Sequence, residues 1–141
     1  CAAANAVLDI FESEDLTERA NAIGATTMAI LSGLTERHDF VARARGLGAM
    51  CAIEICDGES GAPDSARTAA IIARARERGL LLISASGNVI RTLMPLVIPD
   101  ELLEEGLDIL DAAVADAAVE GEVAVGRRTI DDERDVSSRD A

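Results

Sequence analysis

The sequence predicts a small α/β two-layer domain (α+β in its segregation of layers): a sheet of three or four strands with helices on one face. Three observations predict it. Apolar residues recur at helical spacing in several long segments. Between these lie short, almost wholly apolar runs flanked by Gly, Pro, Asp and Ser. The order along the chain is helix, helix, strand, helix, strand, strand, helix, then a tail, and a few strands interleaved with amphipathic helices fit one sheet under one helical layer.

Each element has its own signal. Cys1 to Phe11 is dense in Ala and reads as a helix, or as the end of one that began upstream. Asp15 is placed to cap the next helix, with Glu18 three residues on as a capping-box variant. Leu16, Ala20, Ile23, Thr27, Ile30 and Leu34 form its stripe, and Thr35 to Arg45 reads as a polar connection. Leu47 to Cys56 is short and apolar and suits a strand covered on both faces. After the loop Asp57 to Pro63, Asp64 is placed to cap a helix running to Arg78, with Gly79 as its stop. Leu80 to Ser84 and Val89 to Met94 read as strands on either side of a turn, and Pro95 limits the second. Pro99, Asp100 and Glu101 open a helix whose stripe is Leu103, Leu107, Leu110 and Val114. The helical pattern decays near Glu120. Residues 121–141 are expected to be an acidic, disordered tail.

The chain has 141 residues, 49% of them apolar, enough to bury the core of one domain. No apolar run approaches the ~18 residues of a membrane span. Cys1 to Ile10 has no basic segment and is interrupted by Asp9, so no secretory leader is expected. The first residue is not Met, and the chain reads as a processed product or a fragment. Its 26 acids and 13 bases give a formal charge of -13. That balance argues against nucleic acid and against an anionic membrane, both of which select clustered positive charge. Every base is Arg, which excludes a Lys Schiff base, a P-loop Lys and a Lys general base within this chain. Acid-rich, Lys-free composition resembles that of proteins from salt-adapted cells, where dissolved ions screen the repulsion among carboxylates.

Most residues that invite a chemical reading have a simpler one. Cys51 and Cys56, five apart in a strand-like run, should face opposite ways, and with Cys1 they read as small thiols of a reducing, cytoplasmic compartment. One His and the absence of any Cys-x-x-Cys argue against a zinc site. Gly46 and Gly48 precede a strand rather than a helix, so they read as a tight turn and not a phosphate cradle. His38 lacks a nucleophile at a recognisable spacing and reads as a solvated loop residue.

Arg91 resists such a reading. It lies within the apolar run Val89 to Ile98, and by alternation shares a strand face with Val89 and Leu93. A desolvated guanidinium needs an anion. One candidate is Glu54, the lone charge in another apolar strand. The other is the carboxylate of a ligand, which the planar fork of Arg can hold through two parallel hydrogen bonds.

Five segments carry a resemblance: Cys1 to Ile10, Arg45 to Glu54, Ala75 to Leu82, Gly87 to Leu96 and Leu102 to Leu110. In order and spacing they resemble the C-terminal part of class III pyridoxal-phosphate-dependent aminotransferases, nearest to the 4-aminobutyrate branch, over roughly Cys1 to Val119. The resemblance implies the C-terminal domain of the type I pyridoxal-phosphate transferase fold. On that reading residues 1–12 are the end of a linking helix and 13–120 the small domain. A large domain upstream of Cys1 would carry the Schiff-base Lys and most contacts to the pyridoxal phosphate cofactor, and the complete enzyme would be a homodimer. It would move an amino group from 4-aminobutyrate or a similar ω-amino acid to 2-oxoglutarate. The resemblance also implies that Arg91 holds the carboxylate of 2-oxoglutarate or glutamate; no other residue here inherits a role. Without Lys this chain should not transaminate alone. The other reading is a stand-alone acidic interaction or carboxylate-sensing module derived from such a domain.

Overall fold

The computed structural model describes the backbone of residues 1–137 and the side chains as far as Val119. It contains a four-stranded sheet with three of its four helices packed on one face, within the expected layer architecture. The elements are α1 (Ala2–Ser13), α2 (Leu16–Arg37), β1 (Val41–Leu47), β2 (Met50–Ile55), α3 (Ser65–Glu77), β3 (Ile83–Ala85), β4 (Val89–Leu93) and α4 (Asp100–Ser137). The spatial order is β1-β2-β4-β3 and every pair is antiparallel.

The inward face of the sheet carries Ala44, Cys51, Ile53, Ile55 and Ile90. Against it pack Leu31 and Leu34 from α2, Ile71 and Ala75 from α3, and Leu110, Ala113, Val114 and Ala117 from α4. Leu34, Leu110 and Val114 belong to the stripes read from the sequence, whereas Leu31, Ile71, Ala75, Ala113 and Ala117 do not; burying all of them removes apolar side chains from water. A second cluster joins Ile23 of α2 to Leu103 and Leu107 of α4. Helix α1 buries none of its residues against the rest of the described chain; Val7, Leu8, Ile10 and Phe11 all stay exposed.

Three expectations need correction. The polar connection over Thr35 to Arg45 is in its second half strand β1, and the single strand over Leu47 to Cys56 is the end of a hairpin. Arg43 and Arg45 face outward while Ala44 and Gly46 face inward, an alternation whose inward residues are too small to register as an apolar run. A register shift between Val41 and Arg43 lets both Val41 and Ala44 reach the core. Gly48, at φ +52, forms the turn between the strands, which agrees with the tight-turn reading. The cap expected at Asp15 is also absent: the residue sits at φ 48 and its side chain makes no cap bond.

Other local signals hold. The Asp64 side chain accepts a bond from the Arg67 N–H at 2.8 Å, and Gly79 follows α3 at φ +95. Helix α4 continues past the point where its apolar pattern fades, to Ser137. Two glycines weaken that stretch, but no proline follows Pro99 to stop it. The expected tail therefore falls partly on helical backbone, and residues 138–141 lie outside the described residues. Among the described residues no helix is long and apolar enough to cross a membrane.

The loop before α3 is organised by Asp57. Its carboxylate accepts the backbone N–H of Ser60 at 2.8 Å and the Ser60 hydroxyl at 2.7 Å. These bonds favour the charged form and hold the Asp57 carboxyl below the usual aspartate range. A lowered carboxyl contributes stability above its ordinary pKa, and that contribution disappears as pH falls through the lowered value. The melting-temperature difference between wild type and Asp57→Asn is therefore expected to be largest near neutrality and to shrink in acid. A difference that widened as pH fell would contradict this account of the loop.

Candidate functional site

One face of the sheet is covered by helices, and the other is the open face. Arg91 is on the open face. It lies opposite Ala52 of β2 and Ile83 of β3, while its neighbours Ile90 and Thr92 point into the core. The shared face with Val89 and Leu93 is as alternation predicts, but the side chain is only half-buried, because no helix covers this side.

The motif around Arg91 is fixed from both ends. The turn before β4 places Ser86 at φ 53 and Gly87 at φ 82. Asn88 then clamps β4 to β2: its carbonyl accepts the Ile55 N–H at 2.8 Å and its side-chain amide donates to the Ile55 carbonyl at 3.1 Å. Beyond β4, Arg19 of α2 donates to the carbonyls of Leu96 and Ile98 at 3.3 and 2.5 Å and pairs with Asp100 at 2.7 Å. The strand bearing Arg91 thus has little freedom to slide, which holds the guanidinium at a set place on the face.

Glu54, the internal partner weighed from the sequence, is engaged elsewhere. It pairs with Arg45 of β1 at 2.7 Å. Among the described residues the Arg91 guanidinium has no hydrogen bond or ion pair. Arg45 and Arg91 both line a shallow depression of about 450 Å³, floored by Ala52 and Ala85. Ala52 lies between the two arginines in the sheet, and a large side chain there would fill the space between them. Around the depression Leu47, Met50, Ile83 and Leu93 are exposed, so the Arg91 guanidinium sits within apolar surface, beside an Arg45 already neutralised by Glu54. Such a face suits a small anion with an apolar body, held by a fork of N–H donors and covered by another surface.

Arg91 is conspicuous in the sequence and Arg45 is not, because the inward residues Ala44 and Gly46 are too small to mark β1 as a strand. The signal that finds it is the alternation over Val41 to Leu47, which puts Arg43 and Arg45 on one side.

The remaining candidates are structural. The His38 and Phe40 rings lie 5.3 Å apart, and the Arg67 guanidinium sits 4.4 Å from the centre of the Phe40 ring. Cys51 and Cys56 are buried free thiols, and burial pushes the Cys51 thiol up from its ordinary value, the inert end of thiol behaviour. Among the described residues no group of His, Cys, Asp and Glu could hold a metal ion.

The sheet and its helical layer match part of the chain in solved aminotransferases. The family model for class III aminotransferases matches residues 1–114, and the chain belongs to that family. It is 49% identical over 117 residues to a probable 4-aminobutyrate aminotransferase of Bacillus subtilis, covering 81% of this chain and 27% of the relative. It is 47% identical over 113 residues to a 5-aminovalerate aminotransferase of Pseudomonas aeruginosa, covering 78% and 26%. An amine transaminase from an uncultivated Pseudomonas species, solved in its pyridoxal-phosphate-bound form, superposes with a TM-score of 0.72 at 35% identity, over 83% of this chain and 27% of that one. The chain thus spans about a quarter of the length of the curated relatives it matches. Pyridoxal phosphate is the family's cofactor. The residues present here do not fit it: none of the 141 is a lysine, so the chain supplies no attachment point for its aldehyde.

Proposed function

We propose that residues 13–120 are the small C-terminal domain of an aminotransferase that passes an amino group from 4-aminobutyrate or a similar ω-amino acid to 2-oxoglutarate. Arg91 holds a carboxylate of the keto acid, or of the glutamate it becomes. The observation that carries this reading is the state of Arg91: a half-buried guanidinium on the open sheet face, beside small residues, with the nearby Glu54 occupied by Arg45. A planar fork so placed favours a carboxylate through two charge-assisted hydrogen bonds. Orienting the dicarboxylate in this way would hold its carbonyl in register with the reacting centre, which a large domain outside these 141 residues would supply. The exposed apolar residues of the open face and of α1 are the surface that such a large domain would cover. The complete enzyme would be a cytoplasmic homodimer.

This division of labour has a direct test. The isolated 141-residue chain, mixed with pyridoxal phosphate, 4-aminobutyrate and 2-oxoglutarate, is expected to form no glutamate above the protein-free rate. The complete polypeptide is expected to form it catalytically. Turnover by the isolated chain would overturn the assignment.

The second reading, a carboxylate-sensing module, draws on the same uncommitted Arg91. It requires binding without the large domain. Calorimetry of the isolated chain with glutamate and 2-oxoglutarate separates the two, because the enzyme-domain reading expects no heat of binding at millimolar ligand.

A further inference from the structure

The open face holds three arginines and one carboxylate whose arrangement has a consequence for Arg91. In the sheet register Ala52 of β2 is opposite both Arg45 of β1 and Arg91 of β4. Glu54, two residues from Ala52 on the same face, is therefore a diagonal neighbour of both arginines, one on each side. Arg43 lies directly opposite Glu54. A single carboxylate thus has cations within reach on both flanking strands. In the structure it takes Arg45, at 2.7 Å, with the Glu54 side chain 26% exposed and that of Arg45 55% exposed.

We propose that Arg45 is a positioning residue: by engaging Glu54 on the β1 side, it keeps that carboxylate off Arg91 and leaves the Arg91 guanidinium free for an incoming carboxylate. The proposal rests on the reading of Arg91 as the substrate-carboxylate site for its consequence in catalysis, but the pairing itself is independent of that reading. An internal carboxylate competes with any ligand for the same fork, and apparent affinity falls in proportion to the fraction of Arg91 left open. Glu54 is polar surface in an otherwise apolar strand, and pairing it with β1 keeps its charge solvated and balanced without occupying the site. Arg43 makes no ion pair among the described residues, although it faces Glu54 directly. It is the cation to which Glu54 would turn if Arg45 alone were removed, so a useful variant removes both.

The test is made on the complete enzyme with four variants: Arg43→Met, the pair R43M/R45M, the triple R43M/R45M/E54Q, and Arg91→Met. Two quantities are read for each: the KM for 2-oxoglutarate, and the rate at which phenylglyoxal modifies Arg91, followed by mass spectrometry of its peptide. R43M is expected to behave as wild type in both. R43M/R45M leaves Glu54 only Arg91 on this face. Its labelling rate at Arg91 is expected to fall roughly three- to fivefold, and its KM to rise by about the same factor, the range for a partly exposed ion pair. Adding E54Q is expected to restore both, which a loss of fold or the mere loss of neighbouring positive charge would not allow. Unchanged labelling in R43M/R45M overturns the proposal, as does a fall that persists with E54Q or one already present in R43M. R91M reports separately on the substrate role. An unchanged KM there removes Arg91 from the site, while the labelling series still decides whether Arg45 sets the pairing of Glu54.

Discussion

Replacing Arg91 with Ala in the complete enzyme is expected to raise the KM for 2-oxoglutarate by about 30-fold, the low end of what truncating one partner of a hydrogen-bonded charge pair costs. The cofactor absorbance should not change, because no residue of this chain contacts the cofactor in the proposed arrangement. Arg91 is half-buried on a strand pinned at both ends, so the substitution removes a donor fork from an open face rather than a packed side chain from the core. That predicts a loss in binding with little loss in folding, and the melting temperature should stay close to that of wild type. Arg91→Lys keeps the charge but loses the planar pair of donors, so its KM should lie between the two. An Arg91→Ala enzyme with normal keto-acid kinetics would show that the substrate carboxylate is held elsewhere.

The second large effect is on stability. Gly24 faces the tip of the β1–β2 hairpin so closely that an added Cβ would lie 2.3 Å from the Gly48 carbonyl oxygen and 2.7 Å from its carbon. Backbone cannot turn away as a flexible side chain can. Gly24→Ala must push α2 and the hairpin apart, and overpacking of this kind costs about 2–3 kcal/mol or more, beyond the ~1 kcal/mol that Ala gains over Gly in a helix. The expected fall in melting temperature is roughly 10 °C for a domain of this size. Gly33→Ala is the matched control. It lies in the same helix, nothing stands within 4 Å of its added Cβ, and its substitution is expected to stabilise by up to about 1 kcal/mol. Thermal melts of the two variants should move in opposite directions. A neutral Gly24→Ala would contradict the close approach of α2 to the hairpin, and with it the placement of β1.

These two sites differ in how visible they are from sequence. Arg91 stands out because a charge inside an apolar strand is improbable without a reason. The stripe of α4, the Asp64 cap and the Gly79 stop are equally plain, since each is set by residues within a few positions of one another. Gly24 is not visible, because the oxygen that forbids a side chain there belongs to a residue 24 positions away and is met only in the fold. The hairpin is half-visible. Gly48 marks its turn, but Ala44 and Gly46 are small enough to hide the inward face of β1, so its arginines read as a polar connection. That omission also concealed the partner of Glu54. Two charges in two apolar strands suggested a bond between Glu54 and Arg91, whereas a third strand supplied another cation for the acid.

If Arg91 receives its anion from a ligand, a bound dicarboxylate should be seen on it. The most direct measurement is a crystal structure of the complete enzyme with glutarate, which keeps both carboxylates of 2-oxoglutarate and lacks its carbonyl. One carboxylate of glutarate is expected against the Arg91 guanidinium, with two N–O distances of about 2.7–2.9 Å, and Glu54 still paired with Arg45. Glutarate bound with both carboxylates on other residues, or Arg91 closed onto Glu54 in its presence, would contradict it.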